Sequence, residues 1–511
     1  MTPRCPKCGS ERVIKNGRSD TGHRQRYRCL DCGHRPRHPT ASERPAVAFN
    51  TDLPASARYV ATAAQNATPV HKPFLDALHH YCKATGAKLV VIPFRYKNPT
   101  SQWTANNDDH EWWAPEVVPY LYDGRFDINQ NLTILADIKV QPTAVSPLTG
   151  LEGITAARSA VIGHPKYQLK TVATPQNALP KIMTTTGAVT RDNYTDSKAG
   201  KKGEFHHTYG ATVIEVDGKI FHMRQINAMR DGSFIDLEWV YSARGVNSAA
   251  PAEALIMGDT HVDFADPDVV AATFTDAGSI VKALKPKRLV WHDLLDFYSR
   301  SHHHRKDPFL GVAKHRAGLG DVRAEVERAC VFVRLHTPTS CQSVVVPSNH
   351  NEHLGRWLAD ADWRSDPENA EFYLETALHM VRSAKMTDSG SEIVDPFAYW
   401  AAPRLPGVKF LRRDESYTVK GIELSMHGDQ GPNGARGHVK AFSRIGVKSV
   451  VGHSHSPAVE EGCYQTGTSS RLKLEYNRSG PSSWLNTHCI VYANGKRTLV
   501  NIVKGAWRIP R

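Results

Sequence analysis

The alternation of apolar and polar residues divides the chain into stretches of different rhythm. Across 36–56 (PRHPTASERPAVAFNTDLPAS) Pro, Ala and Ser dominate and no apolar period is present, which predicts a linker, drawn here over 41–66. From residue 67 the pattern becomes that of packed elements. FLDALHHYCKATG (74–86) predicts a helix ended by Gly86, and KLVVIPF (88–94) a buried strand. NLTILADIKV (131–140) reads as a strand, GITAARSAVIG (153–163) as a helix, and YQLKTVAT (167–174) as a strand. ATVIEVDGKIFHMRQI (211–226) predicts a hairpin turning at Asp217-Gly218, and FIDLEWVYS (234–242) a single strand. Together 67–250 read as an α/β domain without an assignable motif.

In 251–511 the rhythm is strand, charged loop, helix, repeated. EALIMGDTH, KRLVWHDLLD, SVVVPSNHNEH, GIELSMHGD and VKSVVGHSHS each run from a short apolar stretch into a cluster of Asp, Asn or His. Such apolar runs are buried strands. Polar residues at their C-terminal ends would meet along one sheet edge, where α/β folds place their sites. No internal repeat and no long low-complexity tract is visible.

Composition narrows the class. A chain of 511 residues has room for two or three domains, and 40% apolar residues is slightly low for a globular protein. No run of about 18 apolar residues suggests a membrane span, and MTPRCPKCGS lacks the apolar core of a secretory signal. The expected location is cytoplasmic, away from membranes. The net charge is +13. Residues 1–40 hold ten basic residues (Arg4, Lys7, Arg12, Lys15, Arg18, Arg24, Arg26, Arg28, Arg35, Arg37) against Glu11, Asp20 and Asp31. That concentration favours a polyanionic partner, nucleic acid before anionic membrane.

Four of the nine cysteines fall in this basic segment, and the scattered remainder (Cys82, Cys330, Cys341, Cys463, Cys489) argues against a disulfide framework. Cys5-x-x-Cys8 and Cys29-x-x-Cys32, 20 residues apart, can close a tetrahedral structural zinc site, with Gly9 and Gly33 at the knuckle turns. The metal would supply folding free energy that so small a module lacks. Between the knuckles, basic residues interleave with His23 and Tyr27, a surface suited to phosphate contact and base stacking, or to a protein partner. The 1–40 module resembles the zinc ribbons at the start of some transposases and DNA-associated proteins.

In the C-terminal half, Asp259, His261, Asp293, Asn349, His427, His453 and His455 are oxygen and imidazole donors without a thiolate, as at catalytic metal centres. With one carboxylate bridging, they could hold two ions roughly 4 Å apart, which clamp a phosphoryl group and acidify a bound water. Manganese is the first expectation, with magnesium, iron and zinc as alternatives. The ordered set D-x-H, D, N-H, H and G-H-x-H resembles the calcineurin-like metallophosphoesterase superfamily over 251–511, its DNA-repair nucleases included. The resemblance implies a layered β-sandwich flanked by helices, preceded here by the α/β domain and the ribbon. It further implies one metal on Asp259, His261 and His455, a second on Asn349, His427 and His453, and Asp293 bridging. His350 would face the scissile phosphate as acid or charge stabiliser.

This sequence departs from that family at His292 and Ser348, which replace glycines and would crowd the turns or add substrate contacts, and at Asn351, where an acidic residue is common. Asp296, Glu352 and His353 are candidate orienters of the ligands. Further substrate contacts are expected from His302, His303 and Arg305 in SHHHRKDP (301–308) and from Arg436 in the Gly-rich loop 428–437, with solvated loops as the plainer alternative.

Three functions follow. The first is a metal-dependent DNA nuclease with the ribbon aiding DNA binding. The second is a phosphatase or small-nucleotide phosphodiesterase whose ribbon contacts protein. The third is a non-catalytic DNA-binding, host-takeover protein. The pairing of ribbon and hydrolase resembles early phage proteins that degrade host DNA, which would place it in host cytoplasm. No P-loop and no dinucleotide fingerprint is present, so an ATP-driven motor is not expected within the chain. A second copy of the chain and an accessory protein stay open as partners.

Overall fold

The computed structural model describes residues 5, 7–18, 25–35, 49–96, 112–175, 178–304, 307–388, 390–475 and 477–510. The N-terminal module is a hairpin of β1 (Val13–Arg18) and β2 (Gln25–Cys29).

The first half of the body begins with β3 (Arg58–Gln65), then α1 (Lys72–Thr85) and β4 (Lys88–Phe94). Pro73 in the first turn of α1, a hydrogen bond from Phe74 N–H to the His71 ring, and Gly86 in the left-handed conformation delimit that helix. β5 (Arg125–Asn129), β6 (Leu132–Leu135), β7 (Ser159–Ile162), β8 (Gln168–Val172) and β9 (Lys181–Thr185) follow. β10 (Gly210–Asp217) and β11 (Ile220–Asn227) form the expected hairpin about Asp217 and Gly218. β12 (Phe234–Asp236), β13 (Trp239–Ser242) and β14 (Gly245–Ser248) make a small meander.

The second half contributes β15 (Ala254–Ile256), β16 (Arg288–Trp291), β17 (Gln342–Val345), the outlying hairpin β18 (Lys385–Thr387) and β19 (Gly390–Glu392), then β20 (Lys409–Phe410), β21 (Thr418–Val419) and β22 (Ile422–Glu423). It closes with β23 (Lys448–Val451), β24 (Ala458–Glu460), β25 (Cys463–Gln465), β26 (Thr487–Val491) and β27 (Arg497–Asn501).

Three larger sheets organise most of these strands. A four-stranded sheet runs β11-β10-β3-β4, a six-stranded sheet β20-β17-β16-β15-β26-β27, and a ten-stranded sheet β21-β22-β23-β25-β24-β8-β9-β7-β6-β5. One apolar core takes Ala61 and Ile92 from the first, Ile256 and Val290 from the second, and Ile134, Val161 and Val450 from the third. The long sheet therefore covers both shorter ones. Alternate residues of β15 and β16 point the other way: Leu255, Leu289 and Trp291 pack under helices Val322–His336 and Pro396–Ala401. Burying each such aliphatic side chain contributes about 1.5–3 kcal/mol. The fold is thus mixed α/β, with helices outside and sheet against sheet inside.

The structure corrects several expectations. Arg58–Gln65 lies in the predicted 41–66 linker yet is a buried strand between β10 and β4. Its alanines leave room for the facing sheet. Residues 153–163 are not a helix: turns lead into β7, whose Ala160, Val161 and Ile162 are fully buried. Residues 234–242 are two strands, separated where Leu237 takes φ 53°. The ten-stranded sheet also runs across residue 250, because β8 pairs with β24.

Candidate metal centre

The apolar runs end where the six-stranded and ten-stranded sheets face each other, and their polar termini converge there. Asp259 and His261 follow β15, Asp293 follows β16, Asn349 and His350 follow β17, His427 follows β22, and His453 and His455 follow β23. His261, Asp293, His453 and His455 all have positive φ (43°, 42°, 73° and 57°). Non-glycine residues pay for this conformation in steric strain, and such strain collects at functional sites.

The side chains form two adjoining groups. In one, His455 Nε2 lies 3.0 Å from Asp259 Oδ2 and 3.1 Å from His261 Nε2. In the other, the Asn349 side-chain oxygen is 3.1 Å from both His427 Nε2 and His453 Nδ1. Asp293 stands between: its Oδ2 is 3.1 Å from His427 Nε2 and 3.9 Å from His261 Nε2. The ligand atoms of Asp259, His261, Asp293 and His455 all lie within 4.8 Å of one another, as do those of Asp259, His292 and His427.

Such a set fits a bound cation. Asp259, His261, Asp293 and His427 are buried, yet neither Asp259 oxygen nor Asp293 Oδ2 has a well-formed hydrogen bond. Buried carboxylates without donors are costly unless a positive charge meets them. Burial alone would raise the Asp259 and Asp293 carboxyls, but the neighbouring imidazoles outweigh it and hold both below the ordinary range. For His427 burial opposes the proton, and Asp293 with Asp259 still lift it to about 9. Burial keeps His453 and His455 below the usual imidazole value, which favours the neutral ligand form.

Neighbouring groups fix these rings. Asp296 Oδ1 is 3.0 Å from His261 Nδ1. His292 is fully buried, its Nδ1 3.2 Å from His427 Nδ1. Burial, with His427 beside it, pushes His292 down to about 4. His292 therefore neither crowds a turn nor reaches substrate. Its ring stands behind His427 and aims the opposite nitrogen at Asn349 and Asp293. Asn351 accepts from Leu295 N–H at 3.1 Å, while Glu352 turns away to pair with Arg413. A β-carbon at position 452 would run into the Asp259 carboxylate, with His292 in contact beside it, which explains the glycine of the G-H-x-H loop.

His350 sits at the mouth. Its backbone N–H donates to Asp293 Oδ1 at 3.3 Å, and its Nδ1 lies 2.9 Å from the Asp296 carbonyl. A carbonyl can only accept, so Nδ1 carries the hydrogen and Nε2 is left for other partners. A cleft of about 610 Å³ opens here, lined by His350, Arg436, His453, His455 and Trp484 among others. Arg436 is exposed on its wall. Trp484 packs edge-on against His455, ring centroids 4.1 Å apart, and carried no sequence signal. His302 and His303 are exposed, and His302 reaches the His350 neighbourhood through His353, with centroids at 4.8 Å in each step. Arg305 lies outside the described residues.

At the other end of the chain, Cys5, Cys8, Cys29 and Cys32 bring their sulfurs within 4.8 Å of one another, Cys5 to Cys32 and Cys8 to Cys29 both at 3.6 Å. Gly9 and Gly33, at φ 71° and 69°, donate back to the carbonyls of Cys5 and Cys29. This is a four-cysteine zinc-ribbon site of structural type.

Comparison with known proteins agrees with the ribbon. Residues 2–33 match the InsA N-terminal domain family of zinc ribbons. The chain is also 33% identical over 467 residues to Protein A1 of Escherichia phage T5, a match covering 88% of this chain and 82% of that protein.

Proposed function

The chain belongs to the family of phage Protein A1, and from that premise we propose that it is a metal-dependent nuclease hydrolysing DNA phosphodiester bonds in the infected host's cytoplasm. The observation that supports this reading is the convergence of two carboxylates, four imidazoles and one amide on a buried centre beside an open cleft. The donors and their order along the chain resemble those of the metallophosphoesterases, which supports reading the centre as one of that kind.

Asp259, His261 and His455 would hold one divalent ion and Asn349, His427 and His453 the other, with Asp293 shared. Manganese comes first, and magnesium, iron and zinc are alternatives. When bound, the ions supply Lewis acidity and lower the pKa of water. Asp296 and His292 keep the His261 and His427 rings in the tautomers the centre needs. His350, held through Nδ1 by the Asp296 carbonyl, would present Nε2 to the cleft, where the imidazolium form, with a second proton on Nε2, can donate to a phosphate oxygen or give that proton to the leaving alkoxide and return to the neutral Nδ1–H ring.

Substrate choice rests on the cleft and the ribbon. The Arg436 guanidinium suits a phosphate, and Trp484 offers an aromatic face beside His455 on which a base can stack. The basic ribbon would add backbone contacts that hold a polymer and weaken steeply with salt. A free phosphomonoester or small nucleotide gains nothing from that ribbon. The test is metal-dependent cleavage of linear and circular DNA beside a His350→Gln control. Hydrolysis restricted to small phosphoesters would move the assignment to a phosphatase or nucleotide phosphodiesterase.

A further inference from the structure

The ten-stranded sheet reads the same from both ends. From β21 inward the pairings are antiparallel (β21-β22), parallel (β22-β23), parallel (β23-β25) and antiparallel (β25-β24). From β5 inward they are antiparallel (β5-β6), parallel (β6-β7), parallel (β7-β9) and antiparallel (β9-β8). The two runs meet in an antiparallel pair, β24 against β8, with Val459 opposite Leu169 at its middle. The facing sheets repeat the correspondence. β11-β10-β3-β4 and β27-β26-β15-β16 are both joined antiparallel, antiparallel, parallel.

Short sequence echoes fall at matching places, although no repeat is visible from periodicity. Gly163-His164 follows β7 as Gly452-His453 follows β23. Thr186-Gly187 with Arg191 follows β9 as Thr466-Gly467 with Arg471 follows β25. The outer hairpins turn through Asp217-Gly218-Lys219 and Asn494-Gly495-Lys496.

Hydrogen bonds fix which residue answers which. Asp259 N–H donates to the Gly467 carbonyl at 3.1 Å and its carbonyl accepts from Ser469 at 2.8 Å. Ala63 makes the same two bonds, to Gly187 at 3.1 Å and from Val189 at 2.8 Å. A β-carbon on Gly452 would meet Asp259 and His292, and one on Gly163 would meet Ala63 and Ile92. Ala63 thus stands for Asp259, Ile92 for His292, and Pro93 for the bridging Asp293. Two residues past the shared histidine, Lys166 stands for His455, in a loop one residue shorter on its way to the central pair. Alanine and proline offer no ligand atom, and Lys166 brings a positive charge. Its buried ammonium donates to the Val145 carbonyl at 2.5 Å and to Glu461 at 3.1 Å, with Glu460 at 3.6 Å. Gln168 adds a hydrogen bond to Glu460 at 2.7 Å. Both glutamates lie just beyond the G-H-x-H loop.

We infer that residues 58–227 are a second, metal-free copy of the framework in 254–501, fused to it through β8 and β24. Its Lys166 and Gln168 act as positioning residues that brace the segment carrying His453 and His455. The copy holds no ion of its own. The metal half of this inference rests on the reading of the centre given above. The bracing half does not.

The test uses the full chain. After loading with Mn²⁺ and desalting, two Mn per chain are expected, unchanged in His164→Ala and reduced in His453→Ala. More than two, or loss of Mn in His164→Ala, overturns the metal-free copy. In chelated protein, amide exchange over 452–465 should quicken roughly tenfold in Lys166→Met, as loss of a buried charge-assisted contact implies, with 288–295 unchanged. Glu461→Gln, at the rim of the same contact, should give a smaller rise and serves where Lys166→Met does not fold. Unchanged exchange in the variant that folds overturns the bracing role. A chain that binds no Mn at all sinks the metal reading, while the exchange arm, run without metal, still decides the rest.

Discussion

His292 Nδ1 lies 3.2 Å from His427 Nδ1, both rings buried behind the two aspartates. One hydrogen is shared between these nitrogens, so the far nitrogen of His427 is the one turned to Asn349 and Asp293. His292→Ala would leave His427 free to rotate and open a cavity beside Asp259. Mn²⁺ affinity is expected to fall about 10–100-fold, the usual effect of losing a group that orients a ligand. Titration of the desalted chain, with the thermal melting curve as the folding control, checks it. Unchanged affinity with intact folding would make His292 mere filling.

Glu325 gives a pH dependence separate from the metal ligands. Burial, reinforced by Asp263, raises its carboxyl from 4.5 to about 7, while Ser299 and its N–H donate to Oε2 and Tyr298 N–H to Oε1. The folded chain then holds a proton that the unfolded chain has released. That contribution is complete below about 4.5 and lost as pH rises through about 7. It is on the order of 3 kcal/mol. Melting temperatures of wild type relative to Glu325→Gln should therefore drop between those pH values. Parallel curves from pH 4 to 8 would contradict it.

Trp484 should serve binding more than chemistry. Trp484→Ala removes a stacking face worth about 1–3 kcal/mol per base. On DNA the expected change is a higher KM with kcat within a few-fold, and on a small aryl phosphodiester little change. A fall in kcat alone would place Trp484 in support of His455 instead.

The gathering of Asp259, His261, Asp293, Asn349, His427, His453 and His455 was legible because these residues sit at the ends of short apolar runs, a local pattern. The helix at 72–85 and the hairpin at Asp217-Gly218 were legible for the same reason. What escaped was set by distant partners. RYVATAAQ reads as linker because small residues carry little apolar signal, yet β10 and β4 bury it on both sides. GITAARSAVIG has helix-forming alanines, and its strand exists because β6 and β9 flank it. The duplication was hidden because the copy had lost the residues a motif search follows, with Ala63 and Pro93 standing where carboxylates stand in the other half.

The ribbon should matter for polymers alone. Cys29→Ser with Cys32→Ser would release zinc and unfold the hairpin. DNA affinity and the steepness of its salt dependence should both fall, while hydrolysis of a small phosphodiester persists. Equal loss on both substrates would mean that the ribbon stabilises the body of the protein.

The central claim is that the buried centre cleaves DNA with His350 taking part. Linear and circular DNA would be incubated with the purified chain and Mn²⁺, with chelator as one control and His350→Gln as the other. The account predicts cleavage that needs the metal and drops by about 10²–10⁴ in the variant, with metal content unchanged. Cleavage that survives chelation, or that is as fast in the metal-loaded variant as in wild type, would contradict it.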